Sequence, residues 1–130
     1  MKPTYLFLAI VYCGILFWLS SGPLPSTGPI QFSGMDKVAH MGAFGLLALI
    51  AARGMQQSGR PWSRSAMFLI PVLFTSLYGA SDELHQFFVP NRSCDILDWL
   101  SDFTGAVIAA SLFIWRFYRP VLKPVSNSGE

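Results

Sequence analysis

Apolar residues gather along this chain in runs of about twenty, separated by short polar segments, with no sustained alternation of the kind a strand would show. A helix rises about 1.5 Å per residue, and a hydrocarbon core about 30 Å thick takes about 20 residues to cross. The runs lie near 4–21, 36–54, 64–89 and 95–118, which predicts four membrane-spanning helices. The first, TYLFLAIVYCGILFWLSS, meets Gly22, Pro23 and Pro25, which end a helix. A cleaved signal peptide is the competing reading. The run lacks a small-x-small cleavage pattern and more spans follow, so a retained helix is favoured. Ser33 with Asp36 predicts a capping box for the second span, and Ser93 ahead of Cys94 and Asp95 predicts the same for the fourth. Pro71 predicts a kink in the third. Residues 120–130 read as a frayed, flexible tail, and no internal repeat is visible.

Composition agrees with this picture. The 130 residues suit one domain, here a single membrane domain over 1–130; 52% are hydrophobic and 12% charged, against about 25% charged in soluble proteins. A formal net charge of +2, with no basic stripe carrying interleaved aromatics, argues against a nucleic-acid partner. The expected fold class is all-α, a four-helix transmembrane bundle. Cytoplasmic loops retain Lys and Arg. With four spans, Lys2, Arg53, Arg60, Arg64, Arg116, Arg119 and Lys123 share one side, and only Lys37 and Arg92 lie on the other. Both termini are therefore expected in the cytoplasm.

The extracytoplasmic end then holds an unusual density of polar groups. Counting helical rise from the basic residues puts His40, Tyr78 and Asp102 at one level, roughly 20 Å up. Asp36, Asp82 and Asp98 come a turn higher, and Glu83, His85 and Asp95 higher still. Spacings of three and four residues put each helix's polar groups on one stripe: Asp36 with His40, Asp82 with His85 and Gln86, and Asp95 with Asp98 and Asp102. An Asp facing lipid at mid-helix costs about 2.5–3.5 kcal/mol on insertion scales, so the stripes are expected to face one another. Lys37, Arg92 and a protonated His40 or His85 are the cations available to join them. Of the two histidines, His40 is expected to pair with Asp102 or Asp98, and His85 to meet the outside. Tyr78 is expected to close the floor. Below, Gly42, Gly45, Ala48 and Ala52 with Gly105 and Ala109 predict close helix approach. Trp62, Phe87, Phe88 and Trp99 predict interfacial belts. Cys13 and Cys94 lie at different depths, which argues against a disulfide.

The segment Asp36, Lys37, Val38, Ala39, His40, then Ser81 to Gln86, then Phe88, Val89, Pro90, Arg92 and Ser93, with Asp98 and Gly105, resembles the VanZ-like family of bacterial membrane proteins over roughly residues 33–115. The resemblance implies a multi-pass protein of the bacterial cytoplasmic membrane. It also implies an envelope setting, since the founding member is linked to low-level teicoplanin resistance. Two positions depart from the family pattern: Asn91, where a glycine often follows the proline, and Asp102, where many members carry asparagine.

Several activities fit the cluster. Carboxylates and imidazoles at one height offer mixed oxygen and nitrogen ligands for a divalent cation, although no diagnostic ligand motif is present. Alternatively, Asp82, His85 and Asp98 would act as acid or base on a lipid or polyprenyl-phosphate headgroup. Asp36, Lys37, His40, Glu83, Gln86, Arg92, Asp95, Asp102 and Tyr78 would line the binding site. The expected partners are then membrane lipids and an envelope amphiphile. A polar network that only fixes helix register, as in an accessory or receptor protein, accounts for the same residues, and so does a small proton-coupled transporter.

Overall fold

A computed structural model of the protein describes residues 1–22 and 34–118. Four helices follow in order: α1 (Pro3–Ser20), α2 (Met35–Gln56), α3 (Arg64–Gln86) and α4 (Ile96–Phe117). No strand occurs among the described residues. Ser33, Pro23, Pro25, Arg119, Lys123 and the tail 120–130 lie outside them.

Local chemistry sets most of the helix ends. Pro3 opens α1 at a position where its missing N–H costs nothing. The Ser63 hydroxyl accepts from the Ala66 N–H to cap α3. At α4 the cap is Asp95, whose carboxylate accepts from the Leu97 N–H, so Ser93 is not the cap the sequence suggested. Asp95 also lies where a carboxylate meets the positive end of the helix dipole. Gly34 holds the cap position of α2 at φ +91°, a conformation that suits glycine. The third helix ends at Gln86 rather than near 89, because Pro90 restricts the residue before it and residues 87–91 turn instead. Asn91 adopts φ +63°, which asparagine tolerates better than most side chains.

The second helix is the hub. It packs on α4, α3 and α1, whereas α1 also touches α3 and has no contact with α4. Small residues make the α2/α4 seam close. A Cβ at Gly105 would sit 2.1 Å from the Met41 carbonyl oxygen, and one at Gly45 would sit 3.2 Å from the Gly105 oxygen. Ala48, Ala106 and Ala110 are fully buried there with Val72. Gly42 is the exception to the expected small-residue seam, since a Cβ there meets nothing within 4 Å. Below, Ala52, Met55, Met67, Phe113 and Ile114 close the core.

Outside this core the surface is apolar. Phe7, Trp18, Leu77 and Trp115 are all at least 65% exposed, a coat that water would not solvate but acyl chains would. Three helices, α1, α2 and α4, are long and apolar enough to cross a membrane. With 23 residues α3 has the length, but its outer third carries Asp82, Glu83, His85 and Gln86, which lower its apolarity. The Lys2 N–H donates to the Gly54 carbonyl, and the Tyr118 hydroxyl donates to the Trp62 carbonyl. The N-terminus, the α2–α3 connection and the end of α4 therefore share one end of the bundle, and the polar cluster occupies the other.

Candidate functional site

Three layers of contacts build the polar end. Outermost, Lys37 on α2 gathers carboxylates from two elements: its Nζ lies 3.2 Å from Asp36, 3.0 Å from Asp95 and 2.8 Å from Asp98. Asp95 stands one residue outside α4. The Leu97 backbone N–H, and then the Lys37 ammonium, hold its carboxyl below the usual range. Against this layer, Glu83 on α3 is buried, and its Oε2 accepts from the Asp95 N–H at 2.8 Å. Deeper still, His40 Nδ1 donates to Asp102 Oδ1 at 3.0 Å, joining α2 to α4 at the level that helical rise predicted. Asp102 is fully buried, and its Oδ2 has no hydrogen-bond partner among the described residues. Gly79 makes room for it, because a Cβ there would lie 2.7 Å from Oδ2.

A second line of contacts runs to α1. Asp82 is buried, accepting from Ser20 Oγ at 2.6 Å and from Gln86 Nε2 at 2.9 Å. His85 Nε2 lies 3.0 Å from Ser21 Oγ, and its ring lies 4.3 Å from that of Phe17. This is not an activated nucleophile. The Ser21 hydroxyl also donates to the Phe17 carbonyl at 2.6 Å, a bond that competes with any transfer of its proton to the imidazole. The sequence pattern presents Ser20 and Ser21 only as the last residues of the first span. The signal that could have found them is two adjacent hydroxyls at the end of an otherwise apolar run, level with Asp82 and His85.

Two expectations are corrected. Arg92 was expected to join the carboxylates, yet its Nε donates to the Gly22 carbonyl at 2.9 Å and its Nη2 to the Leu19 carbonyl at 3.2 Å. It caps the exposed carbonyls at the end of α1, where a cation also meets the negative end of the dipole. Tyr78 was expected to floor the pocket. Its hydroxyl instead reaches the Cys13 carbonyl, and its ring lies against Phe44, so it fastens α3 to α1 and α2. Trp99 and Trp62 are likewise tied in, by indole bonds to the Ser76 carbonyl and the Ser58 hydroxyl. Phe87 and Phe88 remain exposed. Both cysteines are free.

A cavity of about 170 Å³ opens between α1, α2 and α3. Ser20, His40, Asp82, Gln86 and Arg92 give it a polar wall, and Leu16, Leu19, Ala43 and Phe44 an apolar one. A separate groove of about 650 Å³ runs along α2 and α4 over Gly42, Gly45, Leu49 and Ile108, with an almost wholly apolar lining. The polar end is acidic on balance. Among the described residues, Asp36, Asp82, Glu83, Asp95, Asp98 and Asp102 face only Lys37 and Arg92 as fixed cations, and neither reaches Asp82, Glu83 or Asp102.

No curated protein and no solved structure matches the chain. A family model described as VanZ/LLP1 matches residues 5–118. That span is wider than the 33–115 over which motifs were legible, and it takes in α1, whose end completes the polar site. With nearly every described residue inside the match, this chain belongs to the VanZ/LLP1 family.

Proposed function

We propose that the protein binds the phosphate-bearing headgroup of an envelope amphiphile, a phospholipid or a polyprenyl-linked phosphate, at the polar end of its bundle. The observation that carries this reading is the cavity with one polar and one apolar wall at the end of a bundle with an apolar surface. In it an amphiphile keeps its chain against Leu16, Leu19 and Phe44 while its headgroup reaches Ser20, His40 and Arg92. The positive charge gathered at the opposite end supports placing this site on the extracytoplasmic side of the cytoplasmic membrane. The excess of carboxylates selects among headgroups. A headgroup that brings its own positive charge, such as an ethanolamine, is held at both poles, and a polyprenyl-linked phosphate without one is held less firmly. Proton transfer by Asp82, His85 or Asp98 on the bound headgroup is the chemical extension of this reading, and altered teicoplanin susceptibility its cellular one.

Native mass spectrometry of the full chain released from mixed lipid tests the reading. Phosphatidylethanolamine is expected to stay bound in preference to phosphatidylglycerol, with retention lost in Asp82→Asn and in His85→Ala. Equal carry-over of all lipid phosphates, unchanged in both variants, removes the proposal.

A further inference from the structure

Among the buried carboxylates Glu83 is the anomaly. It is 4% exposed, yet no Lys or Arg lies within salt-bridge distance of it among the described residues. One oxygen is served by the Asp95 N–H. The other, Oε1, has only the Gln86 amide at 3.5 Å, the outer limit of a hydrogen bond. An isolated buried carboxylate is costly and calls for a cation or a proton. Two further ligand groups converge on this point from other helices: one ligating atom each from His40, Glu83 and Asp98 lie within 4.8 Å of one another.

The geometry points to a divalent transition-metal site formed by His40 of α2, Glu83 of α3 and Asp98 of α4. Each residue is already prepared for it. His40 spends Nδ1 on Asp102, which fixes the ring and its tautomer and leaves the Nε2 lone pair for a metal. Asp102 is thus a positioning residue, fully buried and holding the imidazole as carboxylates commonly hold metal-bound histidines. Asp98 gives Oδ1 to Lys37 at 2.8 Å and keeps its other oxygen. Glu83 keeps the weakly served Oε1. One imidazole and two carboxylates suit zinc or manganese better than calcium or magnesium, which favour all-oxygen shells. Three protein ligands leave a fourth position open, as in sites that bind a water or a substrate oxygen. His40 also lines the amphipathic cavity. The ion would neutralise the Glu83 charge, which neither Lys37 nor Arg92 reaches among the described residues. This inference goes beyond headgroup binding and stands whether or not a lipid occupies the cavity.

The test uses the full chain in detergent, stripped with chelator and titrated separately with Zn²⁺ and Co²⁺. One equivalent of zinc is expected to bind, and cobalt is expected to give visible d–d bands of a low-coordinate site with a nitrogen ligand. His40→Gln and Glu83→Gln should each weaken binding by at least about tenfold and change the cobalt spectrum. Asp102→Asn should weaken it by about 10- to 100-fold, as loss of a carboxylate behind a metal-bound histidine does, with the three ligands still present. Thr104→Ala, at an exposed position of α4 where the hydroxyl donates to the Leu100 carbonyl, should leave it unchanged. Circular dichroism of each variant without metal separates lost ligation from lost folding, and a variant that unfolds is replaced by His40→Asn or Glu83→Ala. Absence of a stoichiometric ion, or binding equally tight in the folded His40 and Glu83 variants, overturns the assignment. Because the readout is the ion alone, failure of lipid retention leaves this result standing, and the converse also holds.

Discussion

Gly105 shows how one missing side chain sets the geometry of the polar end. With a Cβ position 2.1 Å from the Met41 carbonyl oxygen, no rotamer change relieves the clash, because backbone must move. Met41 directly follows His40, and Asp102 lies one turn before Gly105, so the seam that Gly105 closes also brings the imidazole to its carboxylate. Gly105→Ala is expected to destabilise the fold by about 1–3 kcal/mol or more, through overpacking. Gly42→Ala, where the new methyl meets nothing, is expected to be neutral or stabilising by up to about 1 kcal/mol, since alanine is the better helix former. Thermal unfolding of the two variants in one detergent gives the comparison. Equal midpoints would show that the seam relaxes freely and that Gly105 has no special role.

At the scale of elements, α1 is attached differently from the others. Its packing on the bundle rests on Ala9 and Leu16 against Phe44 and Leu47, and its outer end is held by polar bonds from α3 and the α3–α4 connection. Arg92 supplies the charged pair of these bonds. Arg92→Ala is expected to cost on the order of 2 kcal/mol, as hydrogen bonds involving charged groups do, and to act locally. Amide exchange at Leu19 to Gly22 should accelerate while the α2/α4 core keeps its protection, and Arg92→Lys should recover only part of the effect, since an ammonium lacks the planar fork. Uniform exchange across all helices would instead assign Arg92 to global stability. These bonds also mark what was legible in advance. The His40–Asp102 level followed from counting helical rise, because both residues sit on regular helices with basic anchors. The Arg92 clamp did not, because backbone carbonyls carry no sequence signature. The polar role of α1 was hidden for a related reason: Ser20 and Ser21 end a run whose apolarity dominates every window containing them. Asp95 displaced Ser93 as a helix cap because Pro90 and the turn after it delay the start of α4 to Ile96.

For the whole molecule the decisive matter is which end faces which compartment. One end collects Lys2, Arg53, Arg60, Arg64 and Arg116 and the other collects six carboxylates, so the bundle is strongly polarised along its axis. Retention of basic residues on the cytoplasmic side predicts an orientation with the polar site outward. The two natural cysteines report on this without any engineered tag. Cys94 is exposed in the connection leading into α4, beside the Lys37 layer, while Cys13 sits partway along α1, where the Tyr78 hydroxyl reaches its carbonyl. A membrane-impermeant maleimide added to intact cells is expected to label the chain, with labelling kept in Cys13→Ser and lost in Cys94→Ser. In a bacterium with an outer membrane, the reagent is applied to spheroplasts. Labelling of Cys94 only after the cytoplasmic membrane is permeabilised would place the carboxylate cluster in the cytoplasm. The headgroup reading would then apply to the inner leaflet, whereas the His40, Glu83 and Asp98 ligand set would be unaffected, because it depends on helix packing alone.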